Sequence, residues 1–480
     1  MKFQNILLVI PPIYNIGQPP LYPQAGIGYI AEALNQNKIN YEVIDMRFGY
    51  KIRDLIKRIN RVNFDLMGVS MTSLGYQHTY NIINEVKIRF PDIKIAAGGP
   101  HLSTIRERVL EGCTGVDYGF VLEGEESFIE LCQGKDLKEI KGLLFRDEDR
   151  VVYNGDRNFI ENLNGIGFPK YYKFELDRYF SKALPIISSR GCPYSCIYCP
   201  VKTTIGKRFR VRSAENVVEE LRYWYSKGYR DFQFQDDNFT LYPDRVYEIC
   251  ELILKAGMKD LRLTCDNGVR ADKVDRHLLE TMKKTGFYLL AFGVEAGNDR
   301  ILKRLKKGER IEKIEKAIKD ATELGYKVNL FFLLGSPGEG WEDIEDSIEL
   351  SLKYPVTQAL FYNLIPFPGT ELFEWVSTNN YFVRKPEDYL NDTYHQLNIP
   401  LFQTPELPFF ERKKAFAYAQ KVSLRIRRMG IERAFSPKAG KHLSRFIAYF
   451  ASSKIFEWFY DRNPFFRKIA ESVKRRSLSR

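Results

Sequence analysis

The stretch GCPYSCIYCP, residues 191–200, sets Cys192, Cys196 and Cys199 in a C-x3-C-x2-C pattern. Three thiols on one short segment form a compact site of soft ligands. A structural zinc takes four ligands, yet no other Cys or His stands between Cys132 and Cys250. Three cysteines without a fourth suit a 4Fe-4S cluster with one iron left open. Structural zinc and plain buried cysteines are the competing readings, and the spacing favours neither.

The segment closes a short apolar run, ALPIISSRG, and five more follow: DFQFQDDNF, LRLTCDNGV, YLLAFGVEA, KVNLFFLLGSP and ALFYNLIPFP. Helical patterns separate them. Six βα units over residues 183–374 predict a partial (β/α)6 barrel, with working residues at the C-terminal ends of its strands. Asp236, Asp237, Arg270, Glu295, Pro337 and Pro368 fall there with Cys192. Plainer roles stand beside these: Asx capping of a turn for the aspartates and turn shaping for the prolines, or a surface position for Arg270.

Upstream, residues 1–138 alternate short β-branched strands with helices, at NILLVI, YEVIDM, LMGVSM, IKIAAGG and YGFVLEG. Their uninterrupted apolar character predicts a parallel sheet covered on both faces, in a doubly wound, Rossmann-like α/β domain. LLFRDEDRVVYNG reads as a β-hairpin and, with the segment after it, forms a linker over 139–182. Residues 375–480 read as a helical region. Phe416, Ala419, Val422, Ile426 and Met429 keep helical spacing there, as do Leu443, Phe446, Ile447, Phe450, Ile455, Trp458 and Phe459.

The chain has 480 residues, 44% hydrophobic and 28% charged, which excludes a disordered or fibrous protein. Its net charge of +12 is local: residues 411–480 carry 19 Lys and Arg against 5 Asp and Glu. The basic region reads as a helical lid, as a surface for an anionic membrane, or, least favoured, as a nucleic-acid contact. No apolar run reaches the roughly 18 residues of a membrane span. Seven cysteines, an odd number, argue against a disulfide framework and for a reduced, cytoplasmic setting.

With its cysteines after the first strand of a βα barrel, and Tyr198 before the last of them, the chain resembles the radical S-adenosylmethionine superfamily. The resemblance implies that the open iron chelates S-adenosylmethionine, whose reductive cleavage gives a 5′-deoxyadenosyl radical. Asp236 and Asp237 in DDNF, Arg270 and Glu295 resemble the family's contacts to that cofactor. Upstream, PPLYP, GIGYIAEAL, VSMTS, AAGGPH and VLEGEES resemble the cobalamin-binding domain of class B methyltransferases in this superfamily. Ser70, Thr72, Ser73, Gly98, Gly99, Gly124 and Glu125 are then implied to hold the cofactor's nucleotide tail.

No D-x-H-x-x-G motif supplies a histidine to cobalt; DRHLLE at Asp275 comes nearest and ends in Glu. Tyr14 or Tyr22 in the first loop is a candidate for the lower face, and His101 reads as a turn or capping residue. Cys113, Cys132 and Cys250 read as structural. Cys265 lies close enough to the strand ends to be watched.

The leading expectation is a cobalamin-dependent radical enzyme that methylates an unactivated carbon through methylcobalamin. Alternatives are cyclisation, rearrangement or carbon–carbon coupling on the same architecture. A tRNA methylthiotransferase needs three more cysteines in its first domain, where only Cys113 and Cys132 occur. A non-catalytic carrier or sensor is the remaining class. The expected partners are a small-molecule or lipid substrate and an electron donor such as a flavodoxin or ferredoxin.

Overall fold

A computed structural model describes residues 2–12, 20–148, 150–392 and 399–453, with isolated positions between 455 and 470. Two parallel sheets organise it. The first contains β1 (Asn5–Ile10), β2 (Asn40–Asp45), β3 (Leu66–Ser70), β4 (Lys94–Gly98) and β5 (Tyr118–Phe120), in the order β2-β1-β3-β4-β5. Ile6, Leu8 and Ile10 enter one core while Leu7 and Val9 enter another on the opposite face. That two-sided burial is why these strands show no polar alternation. The order reverses between β1 and β3, the place where sheets of this kind receive ligands.

The hairpin is present as β6 (Leu143–Asp147) and β7 (Arg150–Tyr153). It belongs to the first sheet rather than to a linker, because β6 pairs antiparallel with β5, Tyr118 opposite Phe145. Leu143, Leu144 and Phe145 are buried, so this strand could not have been left at the surface.

The second sheet begins with β8 (Leu184–Ile186). The chain then forms the short β9 (Ser189–Arg190), runs through the cysteine segment, and returns on β10 (Arg210–Val211), antiparallel to β9. Next come β11 (Asp231–Phe234), β12 (Arg262–Val269), β13 (Phe287–Glu295), β14 (Lys327–Leu334) and β15 (Gln358–Asn363). Six parallel strands lie in the order β15-β14-β13-β12-β11-β8, a partial barrel open between its first and last strands.

The helix Phe409–Ala451 covers the β15 edge. Its Phe416, Ala419, Val422 and Ile426 are buried. Met429, grouped with them by spacing, is 39% exposed, so the buried stripe stops at Ile426. Arg412 is fully buried and donates to the carbonyls of Phe402, Leu334 and Leu364, tying the helix to the ends of β14 and β15. Gly440 breaks the helix with φ of 72°. Beyond it Leu443, Phe446, Tyr449 and Phe450 are exposed; Trp458 lies outside the described residues. Among the described residues, no helix is long and apolar enough to cross a membrane.

Candidate active site

The cysteine segment is fastened at several points. Gly191 has φ of 86°, and a Cβ there would come 2.3 Å from the Arg208 carbonyl, so only glycine fits. Cys192 N–H donates to Gly206 O at 3.2 Å, and Ile197, buried in the core, donates to Leu305 O at 3.1 Å. Cys199 N–H closes a turn onto Cys196 O. Cys192, Cys196 and Cys199 are all free and half-buried. Burial raises all three thiols, Cys199 to about 12, so they become thiolates only with a metal to favour the charge.

Among the described residues, no three His, Cys, Asp or Glu side chains are gathered tightly enough for a single metal ion. An iron–sulfur cube bonds each thiolate to a different iron, so three thiols spread along one loop fit it.

Around this loop lies a buried charged chain that sequence reasoning missed in part. Glu295 ends β13 with φ of 67° and meets Lys307 at 3.1 Å; Lys307 meets Glu309 at 3.4 Å. A Cβ on Gly293 would lie 2.7 Å from a Glu295 oxygen and 3.1 Å from Lys307 Nζ, so a larger residue there would displace the ends of this ion pair. A non-glycine residue held at positive φ costs on the order of 1–3 kcal/mol and tends to mark a functional site. Despite its burial, Lys307 is raised by Glu295 and Glu309 and stays charged beside Cys196. Lys307 hides in the sequence among the cations of RILKRLKKGER, and only its burial singles it out. Tyr198 packs beside Glu295 and Cys196, and burial raises its hydroxyl well above the usual range.

Two expected contacts are used otherwise. Arg270 was expected to clasp a carboxylate of the cofactor. Its Nε meets Asp272 at 2.9 Å, Nη1 donates to Lys307 O at 2.8 Å and Nη2 to Gly308 O at 3.3 Å. Its face covers the Tyr194 ring at 3.5 Å, so it braces the cysteine loop. Asp236 is buried and accepts from Ser188 N–H at 3.0 Å and from the hydroxyls of Ser188 and Ser189. It locks β11 to the start of the loop. Asp237 is the member of the pair that faces open space, and burial together with Asp236 lifts its carboxyl to about 6.

That space is a cavity of about 370 Å³ beyond the ends of β1, β3, β4 and β5. Ser70, Gly98, Gly99, Gly124 and Glu125 line it from the first sheet; Ser189, Arg190, Gln235 and Asp237 line it from the barrel. A Cβ on Gly98 would meet nothing closer than 3.8 Å, so a side chain there would fill the cavity. Gln24 also lines it, and its Oε1 is buried without a partner among the described residues. An amide-bearing corrinoid could donate to that oxygen, so the cradle fits such a group.

Thr72 and Ser73 do not line the cavity. Thr72 Oγ1 donates to Leu74 O at 3.0 Å, and Ser73 Oγ contacts His101 Nδ1 at 3.3 Å. His101 Nε2 meets the Tyr80 hydroxyl at 3.1 Å, and its ring stacks on Tyr76 at 4.7 Å. Both nitrogens are engaged and burial pushes its pKa down to about 4, so it is a core histidine. Tyr22 turns toward Gln233 and Gln235 of the barrel, and Tyr14 lies outside the described residues. Cys265 is 1% exposed and sits in the core.

A clamp unrecognised in the sequence joins the two halves. Arg190, two residues before Cys192, meets Glu123 at 2.9 Å and Glu125 at 2.6 Å; Arg210 meets Glu123 at 2.8 Å. Burial alone would raise Glu123, but the two arginines hold it below the usual carboxylate range.

Residues 186–351 match the radical SAM superfamily model, and residues 19–132 match the B12 binding domain model. An uncharacterized methyltransferase of Pyrococcus horikoshii is 30% identical over 396 residues, covering 79% of this chain and 84% of the relative. The chain belongs to the cobalamin-binding radical S-adenosylmethionine family. Cytidylyl-2-hydroxyethylphosphonate methyltransferase of Streptomyces wedmorensis is 25% identical, covering 83% of this chain and 86% of the relative.

Among solved structures, the radical methyltransferase TsrM of Kitasatospora setae, with cobalamin and a [4Fe-4S] cluster bound, shares the fold. Its TM-score is 0.72 at 19% identity, over 94% of this chain and 100% of that one. The cobalamin-dependent radical enzyme OxsB gives 0.73 at 18% identity, over 98% and 75%. The chain is thus a methyltransferase of this family, with a 4Fe-4S cluster, S-adenosylmethionine and cobalamin as cofactors. The methylthiotransferase and carrier readings are not favoured.

Proposed function

We propose that this chain methylates an unactivated carbon of a small molecule at the junction of its two sheets. The single observation that carries the reading is the shared cavity, with Gly98 and Gly124 on one side and Asp237 beside the cysteine loop on the other. When bound, the cofactors supply a hydrogen-abstracting radical and a transferable methyl group.

The chain's own work is placement. Cys192, Cys196 and Cys199 hold the cluster, and Lys307 offsets part of the added negative charge beside Cys196. Ser70, Gly98, Gly99, Gly124 and Glu125 form the cradle for the nucleotide tail, while Glu295, Asp237 and Tyr198 border the S-adenosylmethionine site. Arg190 and Glu123 fix the two halves relative to one another. Excluding water from such a site protects reactive intermediates.

Reconstitution without oxygen, with iron, sulfide and cobalamin, tests the reading. The expected result is about one cobalt per chain and a base-off spectrum. S-adenosylhomocysteine and 5′-deoxyadenosine should then form as paired products. A chain that cleaves S-adenosylmethionine yet retains no cobalt would sink the methyl transfer.

A flavodoxin or ferredoxin is the proposed reductant, in a cytoplasmic setting that suits seven free cysteines. The exposed Leu443, Phe446, Tyr449 and Phe450, set among lysines and arginines, favour peripheral contact with an anionic membrane. Failure to float with anionic vesicles would remove that contact from the proposal.

A further inference from the structure

The partial barrel has an interior face that is only half-buried. On β14 the residues alternate between half-buried and buried, and β15 does the same. The buried set, Val328, Leu330 and Phe332 with Ala359 and Phe361, joins the core beneath the helices. The half-buried set therefore faces the lumen. Register extends this face to Gln233 and Thr264, which are paired across β11 and β12.

The lumen is amphipathic. Phe331 and Leu333 on β14, with Leu360 and Tyr362 on β15, form an apolar wall, and the Phe331 and Tyr362 rings lie 6.2 Å apart. Across from it stand Gln233, Gln235 and Asp266. Gln233 Nε2 donates to Asp266 Oδ1 at 2.5 Å, and Thr264 Oγ1 reaches the same oxygen at 3.4 Å. Among the described residues, both side-chain donors go to Oδ1, which leaves Oδ2 as the oxygen offered to a ligand's donor. Tyr22 arrives from the first domain against Gln233 and Gln235. The cations deeper in the lumen are engaged: Arg262 pairs with Asp231 at 2.8 Å and covers Tyr288 at 4.5 Å, and Lys327 lies over the same ring at 5.1 Å.

We propose that this lumen selects a hydroxyl-bearing amphiphile, with its hydrocarbon body on Phe331, Leu333, Leu360 and Tyr362 and its hydroxyl donating to Asp266. The inference rests on the methyl-transfer reading, since it names the substrate class of that same site. A carboxylate in the hydroxyl's place would face the Asp266 carboxylate in a half-buried setting, a like-charge contact that costs affinity. A hydrocarbon without the hydroxyl would leave the acceptors unpaired, which sites of this kind reject strongly.

The probes are 1-decanol and decanoate, titrated calorimetrically into the full chain reconstituted with cluster and cobalamin. 1-Decanol is expected to bind at least about tenfold more tightly than decanoate. Asp266→Ala and Phe331→Ala should each weaken 1-decanol by at least about fivefold. Asp266→Asn, which keeps an acceptor oxygen, should recover most of the loss, and it guards against an alanine variant that does not fold. Equal or tighter binding of decanoate overturns the proposal. So does 1-decanol binding that none of the three variants changes, the signature of adsorption to the aromatic C-terminal region. Reductive cleavage of S-adenosylmethionine by the unmodified chain is followed in parallel. Its absence would sink the methyl-transfer reading, whereas its presence without 1-decanol binding would sink only the substrate class.

Discussion

β1 is buried at five of its six positions, on both faces, whereas β14 alternates strictly between buried and half-buried. Both are parallel strands backed by helices, and both look like continuous apolar runs in the sequence. The first sheet has no free face, so a ligand can sit only beyond its strand ends. The barrel sheet encloses space and can take a ligand within. One chain thus offers two kinds of site, and the clamp of Arg190 with Glu123 and Glu125 brings them together.

If the two sites are separately built, each can be destroyed while the other survives. Cys196→Ala is expected to abolish cluster assembly and 5′-deoxyadenosine formation while leaving bound cobalt near its normal level. Gly98→Val should do the opposite. Its Cβ would meet nothing closer than 3.8 Å, and the side chain should lower cobalt retention by at least about tenfold, with iron content unchanged. Iron and cobalt analysis of both variants reads the result. Loss of both metals in both variants would mean that the sheets form one inseparable site.

The two sheets and the cysteine segment were largely legible in the sequence. The cysteine spacing pointed to a cluster, and strand-end positions such as Gly98, Gly124 and Asp237 do border the cavity. What could not be read was which strand-end side chains are already committed. Arg270 and Asp236 carry the right chemistry, but main-chain carbonyls and serine hydroxyls consume it. Those partners come from other segments, and periodicity carries no trace of them. The lumen was hidden for a related reason. Phe331 and Leu333 look like core residues in KVNLFFLL, because an apolar wall facing a ligand has the composition of an apolar wall facing a helix.

The first sheet should also be the more acid-sensitive of the two. His101, beside β4, is buried and neutral, with its pKa pushed from about 6.5 down to about 4 by burial. A folded-state pKa below the unfolded one gives stability that is complete above pH 6.5 and is lost as pH falls. The loss from this one group should reach about 3 kcal/mol near pH 4. His101→Gln, which cannot titrate, should lack that share. Its unfolding free energy should therefore converge on that of the unmodified chain as the pH drops from about 6.5 to about 4. Parallel curves for the two proteins would show that His101 is solvated or paired differently.

The smallest effect concerns how each sheet protects its edge. The first sheet ends in the antiparallel hairpin of β6 and β7, so main chain satisfies main chain. At the β15 edge of the barrel, side chains of the C-terminal helix perform that task. Gln420 Nε2 donates to Phe361 O at 2.8 Å, and Ser423 Oγ donates to Ala359 O at 2.6 Å. Removing either donor leaves a carbonyl short of a partner at a cost of about 1 kcal/mol. Gln420→Ala and Ser423→Ala should each lower stability by that amount, and together by nearly the sum, since they serve different carbonyls. Hydrogen exchange should quicken in β15 while β1 and β3 keep their protection. Equal quickening in both sheets would place the edge and the first domain in one cooperative unit, and the contrast between the sheets would then be one of geometry without separate stability.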